Sequence, residues 1–138
     1  MDSAVTGPIS GVVPLVHVAD IERSAAFYRL LGFEIGNHQP RDGEKHWAWL
    51  YSPQASDWRR GPNLMLTRGE EKQAEVRPGT TTLYLYAVDV VSMHATLVAN
   101  GVKPGAIAYP DYMPRGEFGV RDPDGYHLTI AQTGPDTP

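Results

Sequence analysis

Histidines are the residues of this chain that are best suited to acid–base or metal chemistry. The sequence has five, and His17 and His127 fall within candidate strands. An imidazole can bind a metal ion or carry a proton near neutral pH, so the two could form a displaced metal site or act as base and acid. Because two imidazoles without a third donor make a poor metal or catalytic site, we favour hydrogen bonding to a neighbour or a ligand as their role.

Aromatic residues at alternating positions suit a different task, the binding of a bulky molecule. Trp47, Trp49 and Tyr51 alternate onto one face of a candidate strand, and Tyr84 and Tyr86 do the same in a later one. Their rings offer large rigid surfaces for planar or cationic groups, and Trp and Tyr each add one polar atom. The same side chains could instead fill a small core, because aromatic residues are common in strands.

Other kinds of catalytic site find little support. The chain has no cysteine, which excludes disulfides, thiolate metal sites and a cysteine nucleophile. Ser24 has no histidine at helical spacing, and there is no phosphate-binding glycine loop or nucleophile elbow. The run Asp122-Pro123-Asp124-Gly125 lacks the spaced acids of a calcium loop and is predicted to be a turn. Two loops, 57–60 and 109–112, combine aromatic and charged residues, and either could cover a ligand.

A faint internal repeat positions these residues. Two segments each run from a strand rich in Val, Leu or Tyr through an aspartate and an amphipathic helix to a glycine and a short strand. Asp20 and Asp89 are suited to cap the helices, because a short carboxylate accepts the free N–H groups of the first turn. Gly32 and Gly101 are suited to end them, because glycine adopts the left-handed conformation at little cost.

Two further candidate strands follow each of these segments: 46–51 and 63–68, then 117–121 and 126–131. The prediction is therefore a βαβββ unit that occurs twice in one α+β domain. We expect that domain over residues 9–132, with module one at about 11–68, module two at about 80–132, a charged linker at 68–79, and tails at 1–8 and 133–138.

Alternation along the strands predicts which side chains face the helices. They are expected to be Val12, Val16, Val18, Leu83, Leu85, Ala87, Leu128 and Ile130.

Composition limits the partners. With 138 residues, 41% hydrophobic and 20% charged, the chain has the make-up of an ordinary globular domain. A net charge of −4 gives no basic surface for nucleic acid and mildly favours neutral or cationic small partners. No apolar run is long enough for a membrane span, and the first residues do not resemble an export signal, so the cytoplasm is the expected compartment.

The segment "VHVADIERSAAFYRLLGFEIG" together with "FGVRDPDGYHLTIAQ" resembles the vicinal oxygen chelate superfamily, also called the glyoxalase/bleomycin resistance/dioxygenase group. The resemblance covers about residues 11–132. It implies two βαβββ modules that form a curled, barrel-like mixed sheet around a cavity. It also implies a homodimer, because members of the family complete their cavity with modules from two chains.

Metal-dependent members of that family bind a divalent cation at four positions, which fall here on Val13, Met65, Thr82 and Thr129. Such cations need carboxylate or imidazole ligands, and none of the four residues supplies one. The resemblance is therefore to the metal-free branch, which includes bleomycin resistance proteins, and no metal or other cofactor is expected.

In the family's cavity, strand alternation predicts the ligand-binding residues, with no catalytic residue among them. They are His17, Trp47, Trp49, Met65, Tyr84, Tyr86 and His127. The function expected is sequestration of a bulky apolar or aromatic small molecule. The alternatives are an enzyme of the superfamily, such as a lyase, isomerase or dioxygenase with a displaced metal or none, and a non-catalytic structural or regulatory dimer.

Overall fold

The computed structural model describes residues 7–68 and 81–135. Apart from Arg68, the predicted linker lies outside this range. In chain order the elements are β1 (Leu15–His17), α1 (Ile21–Leu30), β2 (Glu34–Gln39), β3 (Trp47–Tyr51), a 3-10 turn (Trp58–Arg60), β4 (Asn63–Thr67), β5 (Thr82–Ala87), α2 (Val90–Ala99), β6 (Glu117–Arg121) and β7 (His127–Gln132).

The strands form two mixed sheets, so the fold is α+β as predicted. The first sheet has the order β1-β4-β3-β2 and the second the order β5-β7-β6. In each sheet the first strand pairs in parallel with the last strand of its half, and the remaining pairs are antiparallel. Neither sheet closes on itself.

The second half departs from the predicted repeat in one element. The strand expected after Gly101 is reduced to a single bridge, in which Ala108 and Glu117 exchange hydrogen bonds of 2.8 and 2.9 Å. Proline explains the loss, because Pro104 and Pro110 flank this segment and neither has an N–H to donate to a ladder.

The predicted helix ends are confirmed. The side chain of Asp20 accepts a hydrogen bond from the N–H of Arg23 at 3.0 Å, and that of Asp89 accepts one from the N–H of Ser92 at 3.1 Å. Gly32 and Gly101 follow the helices with φ of 94° and 81°, a region that favours glycine. Neither helix in the described ranges is long and apolar enough to cross a membrane.

The hydrophobic core lies between the helices and one face of each sheet. Alternation predicted its strand residues well: Val16, Val18, Ala87, Leu128 and Ile130 are buried, and Leu83 and Leu85 pack against them. The prediction was wrong for Val12, which is 89% exposed because β1 begins only at Leu15, after Pro14.

The turn at 122–125 joins the two halves of the chain. The carboxylate of Asp124 accepts hydrogen bonds from the N–H of Ala19 at 3.1 Å and the hydroxyl of Ser24 at 3.2 Å, and it pairs with the guanidinium of Arg23 at 2.8 Å. Asp122 accepts a hydrogen bond of 2.9 Å from the hydroxyl of Tyr28. Burial is the main cause that raises the pKa of Asp122, and it also raises the pKa of Tyr28. The predicted turn is therefore also a contact between the last two strands and α1.

Candidate functional site

A groove of about 1650 Å³ extends along the open sheet faces and reaches core residues such as Tyr28, Phe33 and Leu64. Residues from both sheets line it, together with the loop between β3 and β4. Of the predicted ligand-binding residues, the groove brings together Trp47, Trp49, Met65, Tyr84 and Tyr86.

The two predicted histidines lie elsewhere. His17 and His127 are not among the described residues that line the groove. His127 lies over Gly119, where an added Cβ would come within 3.0 Å of its Nε2 atom. The carbonyl oxygen of His17 accepts a hydrogen bond of 2.8 Å from the hydroxyl of Tyr126. The two imidazoles belong to different sheets, so their pairing as a base and an acid gains no support from the fold.

The four positions of the family's metal site carry no metal-binding side chains. Met65 and Thr82 line the groove with Val13, and Thr129 sits on β7 opposite Tyr84. Across residues 7–68 and 81–135, no three His, Asp or Glu side chains come together as a metal ion requires. The expectation of a metal-free protein stays a prediction.

Trp49 on β3 and Trp58 in the 3-10 turn line one part of the groove. Trp49 stacks on Tyr51 with a centroid separation of 5.1 Å, and its edge meets Trp58 at 5.4 Å. The guanidinium of Arg59 lies over Trp58, 4.7 Å from the ring centroid. Gly36 on β2 makes room for this arrangement, because any Cβ there would collide with the ring of Trp49.

Asn63 fixes the loop that carries Trp58. Its side-chain oxygen accepts a hydrogen bond of 2.6 Å from the indole N–H of Trp49. Its amide nitrogen donates to the carbonyl oxygens of Trp58 and Gly61, at 2.9 and 3.0 Å. The Asn63 side chain thus connects this loop to the sheet. The loop 57–60, which the sequence indicated as a possible cover for a ligand, lies at the groove.

Tyr84 and Tyr86 on the second sheet also line the groove. Tyr84 and Tyr86 lie 5.5 Å apart with their rings tilted by 45°. The hydroxyl of Tyr84 donates to Glu117 at 2.6 Å, and this hydrogen bond is the main cause that raises the pKa of Tyr84 to about 12. The other carboxylate oxygen of Glu117 accepts a 2.6 Å hydrogen bond from Tyr112, which raises the pKa of Tyr112 as well.

Sequence reasoning missed Glu117 as a site residue. Phe118 and Val120 are buried in the structure, and alternation along β6 puts Glu117 on the opposite face, beside Tyr84. That signal was available. The partnership with Tyr112 was not, because Tyr112 belongs to an irregular loop with no period to read.

Comparison with known proteins identifies the class. The model of the Glyoxalase/Bleomycin resistance protein/Dioxygenase superfamily matches residues 12–130. The chain therefore belongs to this superfamily, which confirms the resemblance seen in its sequence. No curated protein sequence matches the chain.

Solved structures share the fold across nearly the whole chain. TnmS3, an antibiotic binding protein from Streptomyces sp. CB03234, is 24% identical with a TM-score of 0.69, covering 94% of this chain and 100% of that one. A bleomycin-binding protein complexed with bleomycin is 20% identical with a TM-score of 0.63, covering 90% and 98%. A lactoylglutathione lyase from Agrobacterium tumefaciens is 16% identical with a TM-score of 0.64, covering 91% and 96%. At these identities the likeness establishes the fold alone.

Proposed function

We propose that this protein binds and sequesters a bulky apolar or aromatic small molecule, without a metal ion. The observation that carries the proposal is the groove that brings Trp47, Trp49 and Trp58 together with the tilted pair Tyr84 and Tyr86. Aromatic rings that are held in place before binding offer stacking surfaces to a planar group at a low entropy cost. Structural neighbours that are named for binding an antibiotic or bleomycin support a small-molecule ligand.

The proposal extends to the architecture around the ligand. One domain over residues 9–132, made of module one at about 11–68 and module two at about 80–132, carries the site. The two sheets curl towards each other around the ligand in a barrel-like arrangement. A second copy of the chain covers the open side of the groove in a homodimer.

Calorimetric titration of the purified protein with planar aromatic compounds tests the binding proposal. We expect Trp49→Ala to weaken binding by about tenfold, because it removes a stacking surface that contributes roughly 0.5–1.5 kcal/mol and its support of Trp58. Calorimetry is required because the substitution also removes a fluorescent reporter. Val98→Ala, on the exposed outer side of α2, is the matched control and should bind as wild type does.

Two results would count against sequestration. If Trp49→Ala loses its cooperative unfolding transition, the ring belongs to the core, as an ordinary strand aromatic would. If native mass spectrometry shows that a bound compound leaves chemically altered, the protein is an enzyme of the superfamily instead.

A further inference from the structure

Glu117 is held at the second sheet by two phenols, one on each carboxylate oxygen. Tyr84 reaches it from β5 and Tyr112 from the loop before β6, both at 2.6 Å. A carboxylate has about four lone-pair positions, so two phenol donors orient it and leave acceptor positions free. The two contacts fix the position of the negative charge but do not neutralise it.

No cation neutralises that charge from within the described protein. The ion pairs between residues 7–68 and 81–135 involve other carboxylates, and Glu117 takes part in none of them. A carboxylate that is fixed in place and unpaired can accept a positively charged donor from outside the chain.

Tyr84 connects this carboxylate to the groove, although Glu117 and Tyr112 are not among the described residues that line it. Tyr84 lines the groove and is 44% exposed, and Tyr86 lies beside it. Tyr112 is 71% exposed on the loop. A cation that enters the groove beside Tyr84 would meet the exposed rings of Tyr84 and Tyr86 on its way to the negative charge of Glu117, and such rings attract positive charge through their quadrupole.

We propose that Tyr84, Tyr112 and Glu117 form a subsite for a positively charged nitrogen, so that the ligand of the groove carries a protonated amine or amidinium beside its apolar part. This inference rests on the proposed function and narrows the ligand class. The competing role is structural, in which the two phenols only pin the loop to the sheet. A structural role would alter stability but would not create a preference between charged and neutral ligands.

A pair of planar probes of similar size separates these roles: 9-aminoacridine, which is cationic at neutral pH, and acridine, which is neutral. Dissociation constants for both are measured by calorimetry at low salt. We expect wild type to bind the cation about five- to tenfold more tightly, as one exposed cation–π contact and one exposed charge pair provide. Glu117→Gln keeps the size of the side chain and removes its charge, so the preference should fall to the roughly twofold that the exposed cation–π contact provides by itself. Glu34→Gln, which removes a carboxylate from β2 outside the groove, should keep the full preference.

Each possible result supports or contradicts the cation subsite. If wild type binds both probes equally, or if Glu117→Gln keeps the preference, the cation subsite is wrong while the proposed function stands. If neither probe binds wild type at millimolar concentration, the proposed function fails and this inference fails with it. If Glu117→Gln does not fold, the wild-type preference and its loss at high salt decide instead, because screening weakens a charge contact and leaves stacking intact.

Discussion

At the scale of single residues, the sheet face on which a side chain lies was easier to predict than the residues that it contacts. Strand alternation assigned Trp47, Trp49, Tyr84 and Tyr86 to the face opposite the core, and all four line the groove. Alternation gives the direction of a side chain but not its contacts. The hydrogen bond from Trp49 to Asn63 depends on the path of a loop, and loops carry no period in the sequence.

The prediction at this scale concerns the titration of Tyr84. Its phenol should lose its proton near pH 12, well above the ordinary value of about 10, because it donates to Glu117. A folded-state pKa above the unfolded value contributes stability that is fully present below about pH 10 and is lost as the pH rises through about 12. NMR of protein with 13Cζ-labelled tyrosine measures the titration, and Tyr84→Phe assigns the signal. Glu117→Gln should move the midpoint back towards 10, and an unchanged midpoint would show that the hydrogen bond is not its cause.

At the scale of elements, the helix boundaries followed from the sequence because their determinants are local. A capping aspartate and a terminal glycine lie within a few residues of the groups they satisfy, as they do at both ends of α1 and α2. The contact of the 122–125 turn with α1 could not be predicted, since its partners lie about a hundred residues away in the chain. The lost strand near Ala108 has a signal in its two flanking prolines, Pro104 and Pro110, whereas the repeat pattern favours a strand there.

The prediction at this scale concerns the junction between the turn and α1. Asp124→Ala should lower the free energy of unfolding by about 2–4 kcal/mol, because it leaves the N–H of Ala19, the hydroxyl of Ser24 and the guanidinium of Arg23 without their acceptor. The Asp124 side chain is only 4% exposed, so water cannot fully replace it. Urea unfolding monitored by circular dichroism gives the value.

The matched control for Asp124→Ala is a substitution that removes an exposed arginine–carboxylate ion pair. Glu34→Ala removes the partner of Arg29, at 3.5 Å, where both side chains are largely exposed. Its cost should stay below about 1 kcal/mol. Equal costs for the two substitutions would show that the turn is not a junction that stabilises the two halves.

At the scale of the whole molecule, the groove contains several large apolar side chains that are exposed. Its exposed side chains include Val12, Val13, Trp58, Tyr84 and Tyr86. Exposed apolar side chains that are grouped in one groove favour the binding of a ligand or another chain there. Strand alternation predicted that Val13, Tyr84 and Tyr86 lie on the face opposite the core. Which ligand or chain covers that face depends on a second molecule and has no signal in this sequence.

The last prediction is therefore that the protein is a homodimer in which the groove faces the partner chain. Light scattering at micromolar concentration should give twice the chain mass of 15.2 kDa. Val13→Asp places a charge on the groove face and should shift the protein towards monomer, because burying an unpaired carboxylate in an interface is costly. Val91→Asp adds the same charge to an exposed position on α2 and should leave the dimer intact. A wild-type monomer would contradict the prediction. Dissociation by Val91→Asp, with the Val13→Asp variant still a dimer, would place the interface at α2 and not at the groove.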